Sequence, residues 1–400
     1  MTIKFSSKEI HFLKTDSDGS SLKPPETYFS DLLLAKTPQA KAFEKRLSQA
    51  ELPENGFLCA VFKTSAHAVR TIEKFFNELA TPDRGIIFET LSSDCIVMAC
   101  WDESGSKNPE HLVKILKEKM SDALRADIMV GTAYYPFHNF TEKQTFANAL
   151  KAIDHAAFFG PGSMICFDAT SINICGDRLY QLGKCREAIR EYRQGLEIAP
   201  SDINLINSLG VCYGVMGQLE KAGKEFEKAM TINPDEPMVL YNTGLLHHIE
   251  KNTDKAVSYL QKAHAVNSSI FHVELLLGDL LKKKNKPKKA LFHLDRAAEL
   301  NPSSGLVLRL KGEIYLEKNQ FDKAGMEFNK AIKINPGDAF SLSGYAMALE
   351  RQNKNLSIAL SFAKKSLALD PDRQVFQERL WAIEEKINGI DPEKNQMKTA

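Results

Sequence analysis

More than half of this chain takes its fold from a pattern that is clearest in residues 203–234, INLINSLGVCYGVMGQLEKAGKEFEKAMTINP. Apolar and small residues fall three or four positions apart, which places them on one face of each of two helices. These residues are Ile206, Leu209, Gly210, Tyr213, Ala222, Phe226, Ala229 and Ile232. Gly217 interrupts the pattern and ends the first helix, and Pro234 ends the second because proline cannot continue the hydrogen-bond ladder. The stretch is therefore predicted to form a helix, a tight turn and a second helix.

The same unit recurs with a period of 34 residues. Glycine occupies positions 176, 210, 244, 278 and 312, and proline occupies positions 200, 234, 302 and 336, with Ser268 at the one missing place. A fixed period of this length indicates stacked copies of one small unit, and such a stack usually offers a binding surface rather than a catalytic pocket. We expect the recurring glycines, with alanines equivalent to Ala229, to let paired helices approach closely.

The repeated positions resemble the tetratricopeptide repeat, whose pattern is W-x2-L-G-x2-Y…A-x3-F…A-x4-P. Four consecutive copies carry a glycine and a first alanine in this pattern: Gly210 and Ala222, Gly244 and Ala256, Gly278 and Ala290, and Gly312 and Ala324. The resemblance implies an all-α solenoid of six repeats over residues 169–372. A helix over residues 373–388 is predicted to cap the last repeat, and residues 389–400 are predicted to be a mobile tail. The apolar side of the capping helix carries Phe376, Leu380, Trp381 and Ile383.

The residues before the array are predicted to form a separate α+β domain. Residues 1–30 are polar and look like a flexible leader. Over residues 31–168, helical and strand patterns alternate in the order α-β-α-β-β-α-β-α-β, which suits one mixed sheet with helices packed against it. The strands are predicted at residues 57–62, 86–91, 95–101, 128–135 and 164–167, and the helices at residues 38–49, 66–79, 109–124 and 142–158.

This element order is similar to the GGDEF, or diguanylate cyclase, domain. Residues 62–63 (FK) resemble the end of the family's D-x-D-x-F-K strand, and residues 92–96 (SSDCI) fall where its signature hairpin would lie. Residues 130–136 (VGTAYYP) resemble its S-x-G-x-A-x-x-P strand, and residues 152–158 (AIDHAAF) resemble its A-D-x-A-L-Y helix. The resemblance implies a GGDEF-like fold over residues 31–168 and a place in bacterial signalling.

The chemistry of a cyclase is not carried over. Such an enzyme needs carboxylates that hold magnesium against nucleotide phosphates. The resemblance places its metal aspartate at Ala60 and a following acidic residue at Cys95. Its turn glycines correspond to Ser92 and Ser93, so Asp94 alone remains, and one carboxylate cannot hold two metal ions. Because the sequence also lacks the P-loop, H-E-x-x-H and G-x-S-x-G motifs, no catalytic residue, cofactor or metal ligand is predicted.

Charge and cysteine content argue against several function classes. The chain has 52 Lys and Arg residues against 51 Asp and Glu residues, without the basic excess that nucleic-acid binding normally needs. No long apolar run indicates a secretion signal or a transmembrane segment. The seven cysteines include no C-x-x-C pair, which argues against a disulfide framework and favours a reducing, cytoplasmic location. Cys95, Cys100 and Cys166 lie in strand-like apolar runs and are expected to be buried thiols.

The first helix of each repeat is expected to line a concave surface, called the repeat groove below. The side chains predicted to face it are Asn204, Asn207, Val211, Met238, Tyr241, Leu245, His248, His272, Leu275, Asp279, Lys282, Leu306, Arg309 and Glu313. This mixed polar and apolar lining suits an extended peptide or a helix of a protein partner. The histidines of the array are expected to be packing or surface residues, since His248 and His272 should lie about 15 Å apart in register, too far to share an ion.

Two functions remain open. In the first, the chain is a non-catalytic interaction scaffold or signalling adaptor that binds a protein partner. Its cyclase-like domain is then a receiver, a nucleotide sensor or a module for homodimerisation, with no nucleic-acid or membrane partner. In the alternative, the N-terminal domain is a nucleotide-binding or cyclic-dinucleotide-related enzyme. The residues at Ala60, Ser92, Ser93 and Cys95 favour the first function.

Overall fold

The computed structural model describes residues 11–12, 37–54, 56–64, 69–79, 84–102 and 109–390. They form two compact units: the first ends at Ile232, and the second begins at Asn233 and includes the pair His11 and Phe12. Of the leader predicted for residues 1–30, only that pair is described. Of the tail predicted for residues 389–400, only its first two residues are described, and they continue the last helix.

Among the described residues, the first unit contains a five-stranded mixed sheet. In chain order, the strands are β1 (Phe57–Lys63), β2 (Arg84–Ser92), β3 (Cys95–Asp102), β4 (Met129–Tyr135) and β5 (Met164–Cys166). The helices around it are α1 (Pro38–Gln49), α2 (Val69–Leu79), α3 (Pro109–Leu124) and α4 (Glu142–Phe159). The strand order is β2-β3-β1-β4-β5, and every neighbouring pair is antiparallel except the parallel pair β4–β5. The predicted alternation of helix and strand is confirmed.

Strand β1 lies at the centre of this sheet and is buried on both faces. Successive side chains of a strand point to opposite faces, so an apolar residue at every position requires cover on both sides. On one face, Leu58 and Phe62 pack in a cluster with α2 and α3. On the other face, Cys59 and Val61 pack in a cluster with α1 and α4. The uninterrupted apolar run of β1 is therefore explained by helices on both sides of the sheet.

Helix α4 packs almost directly on the backbone of β4. A Cβ atom on Gly131 would lie 2.2 Å from the backbone nitrogen of Ile153 and 2.5 Å from the carbonyl oxygen of Ala149. Real atoms do not approach so closely, and backbone atoms in the middle of a helix cannot move aside. Glycine at position 131 is therefore a steric requirement of the contact between this helix and this strand.

The remaining described helices form helix–turn–helix pairs, numbered repeats 1 to 6, with one further helix at the end. In the first unit, the pairs are α5 (Ala169–Gln181) with α6 (Cys185–Ile198), and α7 (Ile203–Val215) with α8 (Leu219–Ile232). In the second unit they are α9 (Pro237–Ile249) with α10 (Thr253–Val266), α11 (Phe271–Lys283) with α12 (Pro287–Leu300), α13 (Gly305–Glu317) with α14 (Phe321–Ile334), and α15 (Ala339–Arg351) with α16 (Leu356–Leu369). The single helix is α17 (Gln374–Ile390). Within the described ranges, no helix has the length and apolar character needed to cross a membrane.

Besides Asn355 in the sixth turn, which has a φ angle of 47°, the turn of every pair has a residue in the left-handed backbone conformation two positions after its first helix. These residues are Gly183, Gly217, Lys251, Asn285, Asn319 and Asn353, with φ angles between 53° and 76°. Glycine adopts this conformation without a steric penalty, and asparagine tolerates it better than most other residues. Gly217 was predicted to end the first helix of its pair. Lysine or asparagine occupies the equivalent left-handed position in other pairs, so glycine is not required there.

Close contact between the two helices of a pair depends on the recurring glycines, as predicted. A Cβ atom on Gly210 would lie 2.6 Å from a ring carbon of Phe226, and one on Gly278 would lie 2.7 Å from Leu294. The equivalent pairs are Gly176 with Tyr192, Gly244 with Leu260, and Gly312 with Phe328. The residue nearest to each of these glycines is therefore the large side chain of the second helix. The alanines that recur in the second helices, such as Ala229, are fully buried.

Two expectations about single side chains are wrong. Trp381 is 65% exposed, although it was expected on the packed side of α17. Phe376 and Ile383 are buried and keep a helical spacing with Leu380, whereas Trp381 lies about 100° further round the helix. Cys166 is exposed rather than buried, because β5 is the last strand of the sheet and has a neighbour on one side only.

Candidate functional site

The β2–β3 hairpin of the first unit holds a neutralised carboxylate. Lys63 forms an ion pair and a hydrogen bond with Asp94, and Ser92 Oγ donates a hydrogen bond to Asp94 Oδ1 over 2.7 Å. Partial burial alone would raise the pKa of Asp94, but its contacts with Lys63 and Ser92 outweigh burial and lower it. Ala60 is fully buried, and burial raises the pKa of Cys95 to about 12. The positions that the resemblance assigned to metal carboxylates therefore supply no acidic ligand.

The predicted groove residues of the first unit are mostly inaccessible. They belong to α7, where Asn207 and Val211 are fully buried and Asn204 is half-buried. A partner at this part of the surface would meet the side chain of Asn204 but would have no direct access to the other two.

In the second unit, the predicted groove residues lie on α9, α11 and α13, the first helices of repeats 3 to 5. Tyr241, Leu245 and Leu275 are fully buried, and Asp279 is nearly so. The half-buried members are Met238, His248, His272, Lys282, Leu306, Arg309 and Glu313. A partner at this part of the surface would therefore meet the half-buried side chains, whereas the buried ones are covered in this structure.

Ion pairs connect the first helices of successive repeats along this groove. Lys282 Nζ lies 2.6 Å from Glu313 Oε2 and links α11 to α13, and Arg309 Nη1 lies 3.0 Å from Asp338 Oδ1 at the start of α15. Burial alone would lower the pKa of Lys282, but Glu313 outweighs burial and raises it. The half-buried charges of Lys282 and Arg309 are therefore already paired with carboxylates from neighbouring repeats.

His11, from the N-terminal end of the chain, contacts two predicted groove residues in this same unit, and Phe12 follows it. Tyr241 Oη donates a hydrogen bond to the backbone carbonyl oxygen of His11 over 3.0 Å. The imidazole rings of His11 and His272 meet edge to face, with centroids 5.0 Å apart. Phe12 is only 2% exposed. Tyr241 and His272 were both predicted to line the groove, whereas the contact with the polar leader was not foreseen.

Burial shapes the protonation of both groove residues in this contact. It raises the pKa of Tyr241, so the phenol stays neutral and remains a hydrogen-bond donor. Burial, and then the neighbouring His11, lowers the pKa of His272 to about 4. At neutral pH the groove therefore presents an uncharged donor and an uncharged imidazole to the segment that it holds.

Sequence reasoning missed a cluster formed by His264, Glu274 and His293. Three helices bring it together: α10, α11 and α12 contribute one residue each. His264 Nδ1 lies 2.5 Å from Glu274 Oε1, and His293 Nδ1 lies 2.8 Å from Glu274 Oε2. All three side chains offer ligand atoms within 4.8 Å of one another, which is close enough for a single metal ion. The sequence offered no signal for this cluster, because its members have no short fixed spacing.

The surroundings of this cluster favour a structural role. Glu274 is fully buried, and the Nε atom of Arg296 lies 3.8 Å from its Oε1. Burial alone would raise the pKa of Glu274, but hydrogen bonds from His293 and His264 outweigh burial and lower it. The guanidinium of Arg296 supplies the positive charge that a buried carboxylate requires, and it would repel a cation at the same place. The cluster therefore fastens repeat 3 to repeat 4.

A cavity of about 680 Å³ lies in the first unit beside α1, α4, α5 and α6. Its charged lining has both signs: Glu44, Glu187, Glu191, Lys41, Lys151, Arg178 and Arg190. Lys151 and Glu191 form an ion pair across 2.7 Å. The mixed charges show no preference for an anionic or a cationic ligand.

Several solved structures are similar to this chain at low sequence identity. YrrB, described as a TPR protein with an unusual peptide-binding site, is 20% identical with a TM-score of 0.42, and the match covers 47% of this chain and 96% of that protein. PilF from Pseudomonas aeruginosa is 20% identical with a TM-score of 0.49, over 52% of this chain and 95% of that protein. PilW, a type IV pilus biogenesis factor, is 17% identical with a TM-score of 0.46, over 53% of this chain and 98% of that protein. No curated protein matches the chain.

Family profiles identify the helical pairs directly. A profile for the TPR repeat matches residues 176–217, and two profiles for the tetratricopeptide repeat match residues 203–236 and 275–339. The matched ranges carry the glycines that face the large side chain of the paired helix, including Gly210 and Gly278. Residues 176–236 and 275–339 are therefore identified as tetratricopeptide repeats.

Proposed function

We propose that this chain is a non-catalytic interaction scaffold whose repeat groove binds a segment of a partner protein. The partner segment is an extended peptide or a helix, and it lies on α9, α11 and α13. The observation that carries this proposal is the contact of His11 with two predicted groove residues: its backbone carbonyl oxygen accepts a hydrogen bond from Tyr241, and its ring meets that of His272. Backbone recognition of this kind is how grooves of helices and strands commonly hold peptides.

The N-terminal α/β domain has, in this proposal, the role of an inactive, cyclase-like receiver or dimerisation module in a signalling protein of the cytoplasm. The buried Ala60 and the Asp94–Lys63 ion pair support an inactive site, because neither leaves a carboxylate free for magnesium. The seven cysteines, none of which forms a disulfide, support a reducing compartment. Incubation of the purified chain with GTP and magnesium is expected to yield no cyclic dinucleotide. Detection of that product would establish the enzymatic alternative instead.

The binding function is testable with a peptide library displayed against the full chain. Lys282→Ala removes a half-buried groove side chain, and Lys333→Ala removes an exposed lysine from α14 as the matched control. Peptides enriched by the wild-type chain are expected to bind the Lys333→Ala chain equally and the Lys282→Ala chain more weakly. An enriched set that ignores both substitutions would place binding outside the groove and contradict the proposal.

A further inference from the structure

The segment seated on the groove shows what the groove recognises. Its two described residues differ in what they offer: His11 accepts a hydrogen bond from Tyr241 at its backbone carbonyl oxygen, and the adjacent Phe12 carries an aromatic side chain that is only 2% exposed. A backbone contact fixes position without reading sequence, whereas a buried aromatic ring supplies much of the affinity and specificity of a small interface. The aromatic side chain is therefore the feature that distinguishes this segment from any other extended peptide.

We infer that the groove selects extended segments carrying an aromatic residue directly after an accessible backbone carbonyl, and that His11–Phe12 is an internal ligand which a partner must displace. This inference rests on the proposed function, because it names the partner chemistry of the same groove. The chain thus regulates its own binding surface: the groove is available to a partner only when the internal segment has left it.

The internal ligand fits the groove imperfectly, which makes it displaceable. His11 Nδ1 is buried and has no hydrogen-bond partner among the described residues. Its ring instead meets the ring of His272 edge to face. A buried polar atom without a partner weakens the contact that contains it. A partner segment that presents an apolar residue in place of His11 avoids this cost and binds more tightly.

Covalent attachment compensates for this weak fit. A ligand on the same chain is present at a high local concentration, so modest affinity is enough to keep the groove occupied. The apparent affinity of a competing partner is then its intrinsic affinity multiplied by the fraction of chains whose groove is free. Removing the internal aromatic ring should therefore raise the affinity for an external ligand without any change in the groove itself.

The test uses fluorescence anisotropy with the full chain and a labelled synthetic peptide of residues 6–16, SSKEIHFLKTD. A Phe12→Ala chain is expected to bind this peptide about tenfold more tightly than the wild-type chain, as loss of a buried aromatic anchor frees the groove. Phe159→Ala removes a phenylalanine that is 54% exposed in the first unit and is expected to match the wild type. Equal affinity of the wild-type and Phe12→Ala chains would overturn the inference.

A second measurement needs no variant of the chain. The wild-type chain is titrated with the same peptide and with its Phe12→Ala version, and only the peptide that retains phenylalanine is expected to bind. Equal binding of the two peptides would show that the aromatic residue is not recognised. Light scattering adds a third outcome: a wild-type dimer that becomes a monomer on Phe12→Ala would mean exchange of the segment between copies and would overturn its role as an internal ligand.

Failure of this inference is distinguishable from failure of the proposed function. If library peptides bind in a manner that depends on Lys282, while the peptide of residues 6–16 does not bind the Phe12→Ala chain, the proposed groove function is retained and the internal-ligand inference is rejected. If neither the library peptides nor this peptide binds, both proposals are rejected.

Discussion

Phe328 occupies a slot between two glycines, and this geometry makes Gly312→Ala the sharpest test of the packing. A Cβ atom on Gly312 would lie 2.8 Å from Phe328 Cε1, and one on Gly344 would lie 2.4 Å from Phe328 Cζ. The ring is fully buried and therefore cannot retreat from one glycine without approaching the other. In repeats where leucine faces the glycine, rotation of a flexible side chain offers some relief, but a rigid ring does not.

The expected magnitude follows from two opposing contributions. Overpacking a well-filled core costs about 1–3 kcal/mol, and the trapped ring places Gly312→Ala at the upper end of that range. Alanine in place of glycine inside a helix increases the unfolding free energy by about 1 kcal/mol through its higher helix propensity. The net loss of unfolding free energy is therefore about 2 kcal/mol, which lowers the melting temperature of an array of this size by about 4–8 °C.

Gly325→Ala provides the matched control in the same pair of helices. A Cβ atom at Gly325 would have its nearest neighbours at 3.8 Å, which is ordinary van der Waals distance. The helix-propensity gain then acts alone, and this variant should be more stable by about 0.5–1 kcal/mol. Thermal melts of the two full-length variants, followed by circular dichroism, are expected to shift in opposite directions.

A rescue experiment tests the mechanism of the loss. Phe328→Ala alone is expected to cost about 3–5 kcal/mol, since it leaves a cavity. Combined with Gly312→Ala, it should cost less than the sum of the two single changes, because the added methyl group then occupies vacated space. Stabilisation by Gly312→Ala, or strict additivity with Phe328→Ala, would refute the idea that the ring is trapped.

Three further predictions concern the second unit. Gly244→Leu is expected to lower the melting temperature, because its side chain must displace Leu260; an unchanged melting temperature would contradict the packing assignment. Glu274→Gln should reduce the unfolding free energy by about 2 kcal/mol, measured by urea denaturation, and added zinc should restore none of it. Because burial lowers the pKa of His272 to about 4, its contribution to stability is complete above pH 6.5 and is lost as pH falls towards 4. His272→Gln should flatten the fall in melting temperature across that window, and an unaltered profile would assign the effect to other groups.

The sequence predicted some of the residues in the contact between the groove and the leader, but not others. Tyr241 and His272 were predicted as groove residues because a strict repeat period fixes which face of each first helix is exposed. The repeat period could not predict the position of His11 and Phe12. The hydrogen bond between Tyr241 and His11 joins residues 230 positions apart, and the leader that contains His11 has no periodic pattern. The apolar residues within that leader, Ile10, Phe12 and Leu13, are the signal that would have drawn attention to it.

The sequence by itself determined the local structure of this protein. The 34-residue period determined the helix pairs. The alternation of helical and strand patterns determined the order of helices and strands along the chain in the first unit. Both depend on interactions between near neighbours along the chain. Tertiary structure alone decided three other features: the large side chain that each glycine faces, the buried cluster around Glu274, and the occupant of the groove. Each of these joins residues from separate elements, and their distances are set by how helices stack rather than by any spacing along the chain.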